Sequence, residues 1–171
     1  MTIKPGWQGR AFEDLEVGDI FPHRLGRTIT DVDNIWFTLL TNNPNPIHFD
    51  QVYAAQTDFK QLLVDSTFTL ALVTGLSVAD VSQNAINLGW DEVRLPHPVF
   101  AGDTLHAWSE VLDVRESRSR PTMGIVNLRT TGVNQDGVVV IEFKRTIMVY
   151  KRAHLPEVAI PGLPSPPASQ T

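Results

Sequence analysis

DSTFTLALVTGLSV, residues 65–78, reads as a helix opened by a side-chain acceptor and apolar nearly all round. Phe68, Leu72, Val73 and Leu76 fall on one face, while Leu70, Ala71 and Val78 fill much of the remainder. A helix of that kind belongs inside a protein, not on its surface. Asp65 or Ser66 supplies the N-cap, since either side chain can accept from the free amides of the first turn. Gly75 weakens the helix and is expected to mark a close backbone approach.

The chain beyond this helix is strand-like. Leu105, Ala107, Ser109 and Val111 alternate with Thr104, His106, Trp108 and Glu110, the period of a half-buried strand. Residues 125–133 and 138–150 are two further β-rich runs around Asn134-Gln135-Asp136-Gly137, where Asp-Gly tolerates the positive φ of a hairpin turn. In the last run Val139, Ile141, Phe143, Ile147 and Val149 share a face that Arg145 interrupts. Before the central helix, Val32, Ile35, Trp36, Leu39 and Leu40 form an apolar stripe. Thr30 and Asp33 make its capping box, and Pro44 forbids continuation. A strand, helices, one buried helix and a meander of strands make an α+β architecture, an antiparallel sheet wrapped round the helix.

The chain has 171 residues, enough for one domain. The domain is expected over 1–152, with a Pro-rich, mobile tail over 153–171, since the last 17 residues hold five of the 12 prolines. Fourteen Lys and Arg against 19 Asp and Glu, without a basic run, give no nucleic-acid footprint. The absence of cysteine excludes disulfides and thiol nucleophiles, and fits a cytoplasmic location. No apolar run is long enough for a membrane span or a secretory signal. His23, His48, His97, His106 and His154 are scattered without metal-ligand spacing. No metal and no bound cofactor are expected.

The segment carrying chemistry is LTNNPNPIHFD, residues 40–50: two prolines pin a loop that holds amides, a His and an Asp. A His there can exchange a proton near neutral pH. The same composition also suits a plain turn with a satisfied His and an Asp helix cap.

Asn45, Pro46, Ile47, His48 and Asp50 match the hydratase motif of the MaoC-like, (R)-specific enoyl-CoA hydratase family, which this chain resembles. VRLPHPVFAGDTL, residues 93–105, is similar to that family's strand entry, and the Asn134–Gly137 hairpin is a third match. The loop together with GWDEVR, residues 89–94, and RESRSRP, residues 115–121, resembles the mesaconyl-CoA and itaconyl-CoA hydratase subset. The resemblance implies a hot-dog fold, a homodimer or a higher oligomer of dimers, and an acyl-CoA substrate whose pantetheine enters between subunits.

It also implies roles. His48 is the acid/base. Asn43 stands where the family carries a catalytic Asp, and an amide cannot accept a proton as a carboxylate does; Asn43 is therefore expected to orient the water. Asp50 and Asp65 are candidates for the missing carboxylate, and Asn45 for structural support. The amide N–H of Ser66 or Thr67 is expected to hold the developing oxyanion. Arg94, Arg118 and Arg120 are candidates for CoA phosphate or a second substrate carboxylate, with Arg115 in the same loop and Arg145 a rival to Arg94. The expected activity is hydration of a short, branched, dicarboxylic enoyl-CoA. A thioesterase and a non-catalytic acyl-CoA binding subunit are the alternatives.

Overall fold

A computed structural model describes Lys4, residues 6–157 and residues 160–162. Strand β1 (Ile20–Thr28) is followed by helices α1 (Asp31–Leu40), α2 (Gln51–Ala54) and α3 (Ser66–Leu76), then by β2 (Ala85–Arg94), β3 (Thr104–Glu116), β4 (Met123–Val133) and β5 (Val139–Tyr150). A π-helical turn, Val78–Ser82, links α3 to β2. The strands form one antiparallel sheet in the order β1-β3-β4-β5-β2, with α3 against its inner face. This is the hot-dog arrangement expected from the residues and the resemblance.

Local chemistry explains the boundaries. Thr30 and Asp33 exchange the two bonds of a capping box at the start of α1. Asp65 caps α3. At the β4–β5 hairpin the Asn134 carboxamide accepts from the amides of Asp136 and Val138, and Gly137 adopts φ +75°. Along β3, Leu105, Ala107, Ser109 and Val111 are buried in the expected alternation. The closest approach of helix to sheet is at Gly132, where a Cβ would lie 2.8 Å from both Val73 and Ile141 side chains. Gly75, expected to mark that approach, has open space where its Cβ would be.

Two large apolar clusters form the core, beside a smaller third of Met123, Ile125 and Met148. One holds Val73, Leu105, Ala107, Ile141 and Phe143; the other holds Val81, Val111, Leu128, Ile147 and Val149. Ser109, Thr130 and Arg145 stand between them on successive strands, and His23 bonds to this belt through Ser109 Oγ at 2.9 Å. His23 Nδ1 lies 2.9 Å from the Asp80 carboxylate. Arg145 is 2 % exposed, its Nε and Nη2 have no partner among the described residues, and burial pulls it down to about 10.

Two expectations need correction. The apolar stripe of α1 is not buried: Trp36 is 61 % and Leu40 78 % exposed, whereas Asn34 and Thr38 face inward. The polar side chains turn in because Asn34 has backbone partners there, and none of the described residues covers the stripe from outside. α3 is buried only on its sheet side, at Thr69 and Val73; Ala71 and Gly75 are open along a groove of about 420 Å³ lined also by Leu25, Phe37 and Phe68. Edge strand β2 also exposes Ile86, Leu88 and Trp90. Residues 152–154 form a 3₁₀ turn, and Arg152, the last residue of the expected domain, donates to Glu13 and pairs with Asp14. Most of the expected mobile tail, residues 158–159 and 163–171, lies outside the described residues.

Candidate active site

Asn43, Asn45 and His48 are placed by the loop between α1 and α2. Asn42 takes φ +54° just after α1, and the Asn43 amide then bonds back to the Thr38 carbonyl. Asn45 caps the 3₁₀ turn Pro46–His48, with Pro46 preset for its first position. The turn delivers His48 inward, 7 % exposed. Its Nδ1 lies 2.8 Å from the Leu63 carbonyl oxygen. A carbonyl only accepts, so Nδ1 carries the proton and Nε2 presents its lone pair. Nε2 has no partner among the described residues and is not sealed from solvent.

Asp65 closes the other side. It is 2 % exposed, and its Oδ2 accepts from Asn43 Nδ2 at 2.6 Å. Its Oδ1 accepts from Thr67 N at 2.7 Å, Thr67 Oγ1 at 2.5 Å and Phe68 N at 3.3 Å. Burial pushes the Asp65 carboxyl up, but the bonds from Thr67, Asn43 and Phe68 outweigh it and hold the group below the usual carboxylate range. Asp65 is therefore charged at neutral pH.

This arrangement sorts the expected residues. Asn43 reaches Asp65 and His48 reaches Leu63, so both converge on the segment just before α3. Asn43 lines a cleft of about 420 Å³ with Ile35, Thr38 and Phe49. Ser66 and Thr69 line a second, of about 230 Å³, with Leu63, Leu95 and Pro98. The Thr67 amide, expected as an oxyanion donor, is already bound to Asp65, which corrects that expectation. The Ser66 amide has no acceptor among the described residues and remains free. Asp50 stays out: its carboxylate caps α2 through the amides of Val52 and Tyr53, as a plain turn would have it. Asn45 supports Asn43 by donating its amide to Oδ1 at 3.1 Å.

The arginines are not gathered. Arg94 is exposed at the end of β2 opposite Glu142. Arg118 lines a cleft of about 510 Å³ with Arg115 and Glu116, and with Arg120 it follows the far end of β3. Thirteen strand residues separate that end from Thr104, up to roughly 40 Å. Arg145 is enclosed in the core belt.

One residue at the site is not evident from sequence. Asn34 Nδ2 donates to the carbonyls of His48 at 2.9 Å and Leu63 at 3.1 Å, and its Oδ1 accepts from the Asp65 amide at 2.9 Å. It ties the loop to the helix start. Its only sequence signal is a poor helix former in the middle of α1.

Comparisons with known proteins bear on the family and the fold. The sequence profile of a family described as "Mesaconyl-CoA hydratase" matches residues 4–159. The beta-methylmalyl-CoA dehydratase of Chloroflexus aurantiacus is 36% identical over 160 residues, covering 91% of this chain and 45% of that protein. The mesaconyl-CoA hydratase of Cereibacter sphaeroides is 34% identical over 157 residues, covering 91% and 46%. Among solved structures, a putative MaoC domain protein dehydratase from Chloroflexus aurantiacus superposes with a TM-score of 0.82 at 34% identity, over 95% of this chain and 47% of that one. The chain thus spans about half the length of these relatives.

Proposed function

The chain belongs to the mesaconyl-CoA hydratase family of MaoC-like hot-dog dehydratases, and from that premise we propose that it adds water reversibly across the double bond of a short, branched, dicarboxylic enoyl-CoA of the mesaconyl or itaconyl type. One observation carries the chemistry: an imidazole with its Nδ1 proton committed to the Leu63 carbonyl and a carboxamide bonded to Asp65 both anchor on residues 63–65, just before α3.

His48 Nε2 takes one proton from a water as the water oxygen bonds to Cβ. The π electrons move toward the thioester oxygen, which the free Ser66 amide stabilises at the helix start. The proton on His48 then passes to Cα, so one water is added and nothing is released. Asn43 orients the water. The thioester is the substrate, and no cofactor enters the scheme. Arg94, exposed at the end of β2, is the residue we assign to a second carboxylate. Arg118 and Arg120 lie too far along the sheet to serve the same thioester within one chain; any contact with its CoA comes from a neighbouring unit.

A second hot-dog unit completes the assembly, either as another copy or as a further part of a longer chain. The exposed apolar residues of α1 and β2 support this, as does the roughly doubled length of the relatives.

The test is incubation with a panel of enoyl-CoA thioesters, read by mass for the gain of one water and by loss of the conjugated enoyl absorbance. Mesaconyl-CoA or itaconyl-CoA is expected to react fastest. Release of free thiol would identify a thioesterase, and binding without either change a non-catalytic subunit.

A further inference from the structure

We propose that Asp65 is a positioning residue for hydration, acting through Asn43: its buried carboxylate locks the Asn43 carboxamide so that Oδ1 is presented to the attacking water. The inference rests on the proposed hydratase activity and names how that site manages without a carboxylate in its loop.

The orientation of a carboxamide is settled by its partners. Asp65 Oδ2, at 2.6 Å, can only accept, so the Asn43 atom facing it is Nδ2. The Asn45 amide, at 3.1 Å, can only donate, so the opposite atom is Oδ1. Both ends agree, and rotation by half a turn would set oxygen against a carboxylate. Donation from Nδ2 to an anion also polarises the amide, which makes Oδ1 a stronger acceptor. Oδ1 keeps a second lone pair, and Asn43 lines the 420 Å³ cleft. A water held there gives one hydrogen to Oδ1, and in the proposed hydration His48 Nε2, which is not sealed from solvent, takes the other while the water's own lone pair attacks Cβ. Asp65 is not itself the base: three donors occupy Oδ1, Oδ2 is turned to Asn43, and the carboxyl, held below the usual carboxylate range, has little tendency to take a proton.

The same contact explains why residue 43 is an amide. An Asp at 43 would face Asp65 across a hydrogen-bond distance, and two carboxylates so close cannot both ionise. Positions 43 and 65 therefore hold one negative charge between them, and the charge is expected to work from either position.

The experiment compares the full chain with Asp65→Asn, Asn43→Asp and the swap Asn43→Asp/Asp65→Asn, measuring kcat and KM against pH on the thioester the native chain hydrates fastest. Asn caps a helix about as well as Asp, so Asp65→Asn is expected to fold. Its kcat should fall about 10- to 100-fold, the scale of a misplaced reactant, with KM little changed. Asn43→Asp should show a new titration in kcat above the ordinary carboxylate range. The swap should recover most of the native rate and lose that titration. Asp65→Asn with native kcat and pH profile overturns the proposal, and so does a swap no better than the worse single variant. If the single variants do not fold, the swap decides alone; a swap that does not fold, or folds and is inactive, contradicts interchangeability. A native chain that hydrates none of the panel overturns the hydratase activity and this inference together.

Discussion

Asn34 shows how much one buried side chain can organise. It is 2 % exposed and makes three backbone hydrogen bonds, to His48, Leu63 and Asp65. The isosteric Asn34→Asp would turn an oxygen toward two carbonyls, so it should lower the free energy of unfolding by about 2–4 kcal/mol, the scale of buried groups left unpaired. Urea unfolding measures this, and a loss below about 1 kcal/mol would mean that Asn34 merely fills space. His48→Ala should keep the fold and cut turnover at least ~100-fold, the low end for acid–base catalysis; a folded variant of native rate would remove His48 from the mechanism. His48 and Asn43 are legible in the sequence because one short loop holds them. Asn34 is not, because its partners lie 14 to 31 residues away and only the folded chain brings them near. Thr67 misleads for a related reason: a free first-turn amide is the default, and the sequence does not reveal that Asp65 has taken it.

At the scale of elements, period and caps carry most of the information. Strand β3 lies where its alternation places it, and β4 and β5 lie where the two β-rich runs flank Asn134–Gly137, although β4 is buried on both faces. Thr30 caps α1, and Thr30→Ala should cost about 1 kcal/mol in unfolding free energy. No loss in urea would show that the Asp33 half of the capping box is sufficient. β2 is only partly legible: GWDEVR, residues 89–94, stands out only as part of a resemblance, whereas the strand begins at Ala85. Ile86, Leu88 and Trp90 alternate with Asn87, Gly89 and Asp91, yet the apolar members stay exposed in the folded chain. The stripe on α1 is legible as a stripe, but its direction is not. Apolar periodicity says that a face will be covered; it does not say by which chain.

That cover is a property of the whole molecule. Trp36→Glu adds a charge to an exposed site, so it should leave the urea midpoint of the individual unit nearly unchanged while lowering the mass seen by light scattering. An unchanged mass would mean that a partner does not sit on α1. Stability should also depend on pH through His23. Burial pushes its pKa below the ordinary 6.5, as does Arg145, against the opposing bond to Asp80. The folded state therefore keeps His23 neutral, while the unfolded chain takes up a proton more readily. This contribution is complete above about pH 6.5 and is lost as pH falls toward the lowered folded value. A urea midpoint that drops between neutral and mildly acid pH, less so in His23→Gln, is the expected result; equal drops in both proteins would place the effect elsewhere.

The belt of Ser109, Thr130 and Arg145 also bears on breathing motions. Apolar contacts transmit order because each neighbour supports the next, and a seam of polar groups interrupts that mutual support. On the proposed function, the half of the interior beneath the start of α3 is expected to loosen to admit or release the thioester while the opposite half stays closed. Native-state hydrogen exchange would register two opening energies along the same strand, lower at Leu105 than at Val111.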